Sequence, residues 1–160
     1  MTAGPPSSVT DSTFASAKVR SLNPHVIRLL VSEPALPWRN DVIDRLEELV
    51  RLRDGWDGYN AEPVSLANAY FALRILESIC PSDVAVPQIV PGSGGDVQIE
   101  WHTNDTDIEL HVKAPNDVVA WRKSPTTGDD GEEIPLTNNF IDIARWLEAL
   151  GSDIAATAAA

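Results

Sequence analysis

Two segments alternate strictly between apolar and polar residues, Val97-Gln98-Ile99-Glu100-Trp101-His102 and Ile108-Glu109-Leu110-His111-Val112-Lys113, with Asn104-Asp105 between them. Successive side chains of a strand point to opposite faces, so each segment builds one greasy face and one polar face. A two-residue turn at Asn104 and Asp105 sets Trp101 opposite Ile108, Ile99 opposite Leu110 and Val97 opposite Val112, so that every inward residue meets an apolar partner. The outward row then carries Gln98, Glu100 and His102 against Asp107, Glu109 and His111. Glu100 directly faces Glu109, a repulsive pairing that sheet stability alone does not select.

The same period of two covers residues 88–90, 96–102, 107–114 and 117–123, separated by Pro-Gly-Ser-Gly-Gly, Asn-Asp and Pro-Asn turns, and predicts an antiparallel meander of three or four strands. Helical spacing precedes it. Asn40 is a candidate N-cap for a helix through Arg53, with Val42, Ile43, Leu46, Leu49 and Val50 on one stripe. Ser65 caps a second helix that runs to Ile79 or Cys80 before Pro81 stops it. Its apolar residues, among them Leu66, Tyr70 and Leu73, cover most of its circumference and leave Asn68, Arg74, Glu77 and Ser78 for water. A third helix spans roughly Asn138 to Leu150, with Thr137 as cap, Gly151 as stop and Phe140, Ile143, Ala144, Leu147 and Leu150 on the buried stripe. The expected fold is α+β, two helices before the meander and one after it, packed on one face of the sheet. Residues 1–21 read as a disordered tail, 22–39 as a docking arm built on the apolar run from Val26 to Val31, 40–151 as a single domain and 152–160 as a mobile tail.

A chain of 160 residues with 43% hydrophobic content can bury one real core without a metal or a disulfide. The single cysteine, Cys80, fits a reducing compartment. No apolar run approaches the roughly 20 residues of a membrane span, and the N-terminus lacks the pattern of a signal peptide, so a cytoplasmic location away from membranes is expected. The formal charge of −12 is unevenly spread. Residues 1–39 hold Lys18, Arg20, Arg28 and Arg39 against Asp11 and Glu33, whereas residues 96–133 hold three basic and ten acidic side chains. That field disfavours a nucleic-acid backbone and favours a cationic partner.

The linker Arg53-Asp54-Gly55-Trp56-Asp57-Gly58-Tyr59-Asn60 joins the first two helices. Gly55 fits a helix C-terminus and Gly58 a turn with positive φ, while Trp56 and Tyr59 can fold back over the helix pair. The spacing of Asp54, Asp57, Asn60 and Glu62 does not match a calcium loop. This linker, followed by an Ala-rich helix and by Pro91-Gly92-Ser93-Gly94-Gly95-Asp96-Val97-Gln98-Ile99-Glu100-Trp101, resembles a set of uncharacterised small bacterial proteins with a GWDGY...P turn and a GG-V-x-hydrophobic-E-W strand. The resemblance covers roughly residues 45–113. It implies a bacterial source and makes Gly55, Trp56, Asp57, Gly58, Tyr59, Gly95, Glu100 and Trp101 one structural signature, and it carries no activity over.

No Ser-His-Asp arrangement with a nucleophile elbow is present, and the Gly-rich segment at 92–95 lacks the lysine and following helix of a phosphate loop. No catalytic residue, metal ligand or cofactor is assigned. The expected function is that of an antitoxin-like or immunity-like neutraliser, without enzymatic activity, that covers a basic protein partner with Glu100, Asp107, Glu109, His111, Asp129, Asp130, Glu132 and Glu133. An exposed Trp121 or Trp38 would supply the anchor. Two alternatives remain open at this level. One is a homo-oligomeric scaffold in which the 22–39 arm pairs with a neighbouring sheet edge; the other is a metal-dependent or acid/base enzyme that uses Glu100, Glu109, His102 and His111 on the outward hairpin face.

Overall fold

The computed structural model describes residues 36–158, with side chains described through Gly151. The predicted 1–21 tail, the arm as far as residue 35 and the last two residues lie outside the described residues. Three helices and five strands follow in the order α1 (Arg39–Val50), α2 (Leu66–Ile79), β1 (Gln88–Pro91), β2 (Val97–His102), β3 (Asp107–Ala114), β4 (Asp117–Lys123), β5 (Glu132–Leu136) and α3 (Ile141–Ala158). The class is α+β, and the strands form one antiparallel sheet in sequence order.

The hairpin register is the one the alternation dictates: Val97 pairs with Val112, Ile99 with Leu110, Glu100 with Glu109 and Trp101 with Ile108. Val97, Ile99, Trp101, Ile108, Leu110 and Val112 are all buried, and the same side of the sheet adds Ile89, Val118, Ala120 and Leu136. Helix α1 packs on β1, and α2 on β2 and β3. The core between sheet and helices is closed by Leu46, Leu49, Leu76, Ile143 and Leu147. At the edge of β1, which no other strand of the described residues covers, the Arg45 side chain of α1 donates from Nε to the Ile89 carbonyl (3.0 Å), which occupies an acceptor that a neighbouring strand would otherwise seek.

Five expectations about elements are corrected. The sheet has five strands, because Glu132–Leu136, read as the end of an acidic loop, pairs with β4. Helix α1 starts two residues earlier than Asn40 as cap allows, from Trp38 as its N-cap residue and without a side-chain capping bond, and ends at Val50 instead of Arg53. On α2 the exposed and buried sets are partly exchanged: Asn68 is buried, whereas Leu66 and Tyr70 are exposed. Helix α3 begins at Ile141, whose N–H is met by the Asn139 side chain (3.0 Å), and Thr137 lies before it. It also runs through Gly151, which lies near Val84 and Asp83, and the chain continues helical to Ala158.

Candidate functional site

The outer face of the sheet gathers most of the chemistry of the described residues. Cross-strand pairing lines up Gln88, Glu100, Glu109, Trp121 and Glu133 in one row, and Val90, Gln98, His111, Val119 and Pro135 in the next. A third, shorter row holds His102, Asp107 and Lys123. Neighbouring strands lie about 4.8 Å apart, so each row is a continuous line of side chains. Among the described residues no helix packs over this face.

Two acid–imidazole clusters divide it. His102 sits between Asp107, bonded through Nδ1 (3.0 Å), and Glu100, bonded through Nε2 (3.1 Å). The hydrogen bond to Asp107, and then that to Glu100, raise the His102 pKa above its ordinary value of 6.5. His111 instead makes a close contact through Nε2 with Asp96. Burial by itself would push the Asp96 carboxyl up, but the bonds from His111 and from the Gly94 N–H outweigh it and hold the carboxyl below its ordinary value. The two imidazoles thus serve different carboxylates, and among the described residues no three His, Cys, Asp or Glu side chains are placed to share a metal ion.

The signs of these shifts give a pH expectation. A histidine whose folded pKa is raised contributes stability that is complete below its unfolded pKa, near 6.5, and is lost as pH rises through the folded value. Asp96 has the opposite sign: its contribution is present above the unfolded pKa and fades as pH falls through the folded one. The His102 ring signal, followed by NMR, is therefore expected to titrate with a midpoint above 6.5. Asp107→Asn should return that midpoint toward 6.5 further than Glu100→Gln does, because the Asp107 bond is the larger cause.

The acidic segment after β4 does not act as one surface. Asp129 and Asp130 are exposed in the turn, and the Asp130 carbonyl accepts the indole N–H of Trp121 (3.1 Å). Glu133 lies on the outer face opposite Trp121. Glu132 pairs with Arg122 (2.8 Å), whose guanidinium stacks 4.6 Å from the Trp146 ring of α3. Glu132 is thereby neutralised from within and stands apart from the other acidic residues of the expected set. Trp38 cannot be a surface anchor, being fully buried; Trp121 is half-buried and remains on the outer face. Cys80, buried near Asp83, has its thiol pushed up to about 12, first by desolvation and then by that negative charge, so it is no nucleophile at neutral pH.

The two signature segments meet in space. Trp56 donates its indole N–H to the Glu62 carbonyl (3.0 Å), and Asp57 accepts from the N–H groups of Tyr59 (2.8 Å) and Ala61 (3.2 Å), so the 53–63 linker is folded on itself. It then docks on the Gly-rich turn: Glu62 N–H donates to Ser93 O (2.9 Å) and Ser65 N–H to Gly95 O (3.0 Å). Gly95 has φ +78°, and a Cβ there would come within 3.3 Å of the Pro63 carbonyl. Asn68, which sequence reasoning placed in water, closes the joint by donating to Gly95 O (2.8 Å) and Lys113 O (3.2 Å). The expectation that Tyr59 folds over the helix pair is not met, since it is 84% exposed. It lines, with Asp54, Gly55, Asn60, Glu62 and Pro63, an open depression of about 560 Å³. No helix among the described residues is long and apolar enough to cross a membrane. No family model matches this sequence, and no curated protein or solved structure matches it either.

Proposed function

We propose that this chain is a non-enzymatic, acidic interaction protein that neutralises a basic protein partner, in the manner of a bacterial antitoxin or immunity protein acting in the cytoplasm. One observation carries the reading: Glu100 faces Glu109 across the hairpin, and among the described residues the Glu109 carboxylate has no hydrogen-bond or ion-pair partner. Like charges placed opposite each other on a sheet cost stability. A cationic partner removes that cost when it docks, which gives the pair a reason to exist. The edges support a face-on mode over strand addition, because β1 and β5 are short, each carries a proline (Pro91 and Pro135), and β5 also carries two glutamates.

The test is affinity capture of the full chain from its native host at low salt, alongside a Glu100→Gln/Glu109→Gln variant. The expected result is a basic protein that is retained by the parent, released at high salt and absent from the variant. Its association rate should fall at least about tenfold between low and high ionic strength, since steering by exposed charges is screened over a Debye length of roughly 3 Å at 1 M salt. A partner bound equally by parent and variant, or bound without salt dependence, would overturn the reading.

A further inference from the structure

We infer that Trp121, flanked by Glu109 and Glu133, is a seat for an arginine side chain of the docking partner; this rests on the proposed basic-partner function and names the chemistry that the outer face selects. Trp121 lies directly between the two glutamates in the cross-strand row, with Glu109 opposite it on β3 and Glu133 opposite it on β5. Neither carboxylate has a hydrogen-bond or ion-pair partner among the described residues. An indole face attracts a cation through its quadrupole, and a guanidinium is planar enough to stack on the ring while its edge donates to carboxylates. A lysine ammonium is a compact, strongly hydrated point charge that cannot do both in the same way.

The ring is fixed in place before any ligand arrives. Its N–H is taken by the Asp130 carbonyl (3.1 Å), and it rests on Gly131, where a Cβ would stand 2.7 Å from the indole. Gly131 has φ +77°, so both the backbone and the ring require glycine there. Fixing the ring in advance reduces the ordering cost of binding.

The opposite face of the same two strands shows the arrangement completed. One residue on from the Trp121–Glu133 pair, Arg122 is paired across the strands with Glu132 (2.8 Å) and stacks 4.6 Å from the Trp146 centroid. There the guanidinium, indole and carboxylate all come from this chain. On the outer face the indole stands between two carboxylates, and Lys123, two residues on along β4 on the same face, makes no ion pair with either. That contrast, together with the unneutralised charge, selects an arginine of a partner as the occupant.

The test uses the full chain labelled with ¹⁵N and two short peptides, Gly-Arg-Gly-Arg-Gly and Gly-Lys-Gly-Lys-Gly, titrated while the Trp121 indole N–H signal is followed in the parent and the backbone amides of Glu109 and Glu133, opposite residue 121, are followed in parent and variants alike. The arginine peptide is expected to shift that signal and to bind about fivefold more tightly than the lysine peptide. Trp121→Leu should erase the preference, and Gly131→Ala, which keeps every charge, should weaken it by displacing the ring. Circular dichroism of each variant checks that the sheet is intact, and Trp121→Phe keeps the test open if Trp121→Leu does not fold. Equal binding of both peptides that is lost in Glu100→Gln/Glu109→Gln would overturn the arginine seat while leaving the acidic docking face standing. Loss of neither peptide in that double variant would count against the docking face itself. A Trp121 signal that responds to Arg28→Ala in the free chain would assign the seat to this chain's own arm and overturn the partner.

Discussion

Replacing Trp38 with alanine should lower the free energy of unfolding by about 3–5 kcal/mol, the range for deleting a large aromatic side chain from a packed interior. Trp38 is fully buried at the start of α1, and its indole N–H donates to the Pro81 carbonyl just beyond α2 (3.3 Å). The next residue repeats the tie, with Arg39 Nε on Glu77 at 2.9 Å. Together they clamp the first turn of α1 to the last turn of α2, and alanine at 38 removes the filler and leaves the Pro81 carbonyl with only the weak Cys80 thiol as donor (3.8 Å). For a domain of ordinary stability, about 5–15 kcal/mol, this is between a fifth and the whole of it. The check is a urea titration by circular dichroism, in which the midpoint should fall with little change in slope. Trp38→Phe, which keeps most of the volume and loses only the N–H, should cost clearly less. Equal losses would mean that the hydrogen bond, not the packing, holds the clamp.

The fate of Trp38 illustrates what the chain discloses and what it withholds. The β2–β3 hairpin was legible to the last pair because three kinds of signal agree: strict alternation, a polar two-residue turn and apolar residues that meet only in one register. The outer-face set around Glu100, Glu109, His102 and Asp107 follows directly from that register. Strand β5 was hidden because Glu132-Glu133-Ile134-Pro135-Leu136 continues an acidic run and contains a proline, a combination that reads as loop. Its one signal was Ile134 and Leu136 two apart, too short to weigh against the charges. The division of Glu132 from Glu133 was lost with it, since only a strand sends neighbours to opposite faces. The stop at Gly151 failed because that glycine does not take the positive φ of a helix C-cap and the chain continues helical through it to Ala158.

Asn68→Ala should destabilise the protein by about 2–4 kcal/mol, which is large for a polar side chain on a helix that an isolated sequence would turn toward water. Its amide nitrogen serves two carbonyls from distant parts of the chain, Gly95 before β2 and Lys113 near the end of β3. Lys113 lies at the irregularity between Val112 and Ala114 in the β3–β4 ladder, and Asn68 supplies a side-chain donor to its carbonyl there. A buried acceptor left unsatisfied costs roughly 1–3 kcal/mol. Gly95 O keeps the Ser65 N–H, so the shorter, buried bond is lost without orphaning its acceptor, and the part-buried Lys113 carbonyl loses its Asn68 donor. Asn68→Asp separates hydrogen bonding from packing. The side chain keeps its size, but an ionised carboxylate would face two carbonyl oxygens, so the folded state raises its pKa. A carboxyl with a raised folded pKa supports the fold while protonated and withdraws that support as pH rises through the folded value. Asn68→Asp should therefore approach the parent's stability near pH 4 and fall below Asn68→Ala at pH 7, measured by denaturant titration at both. The Ser65 amide should exchange faster in both variants, because the turn that Asn68 holds is the one that carries Asp96 to His111 and the 53–63 linker to the sheet. Variants that unfold alike at both pH values would show that Asn68 acts by volume alone, and the joint between the two signature segments would then rest on the backbone bonds of Glu62 and Ser65.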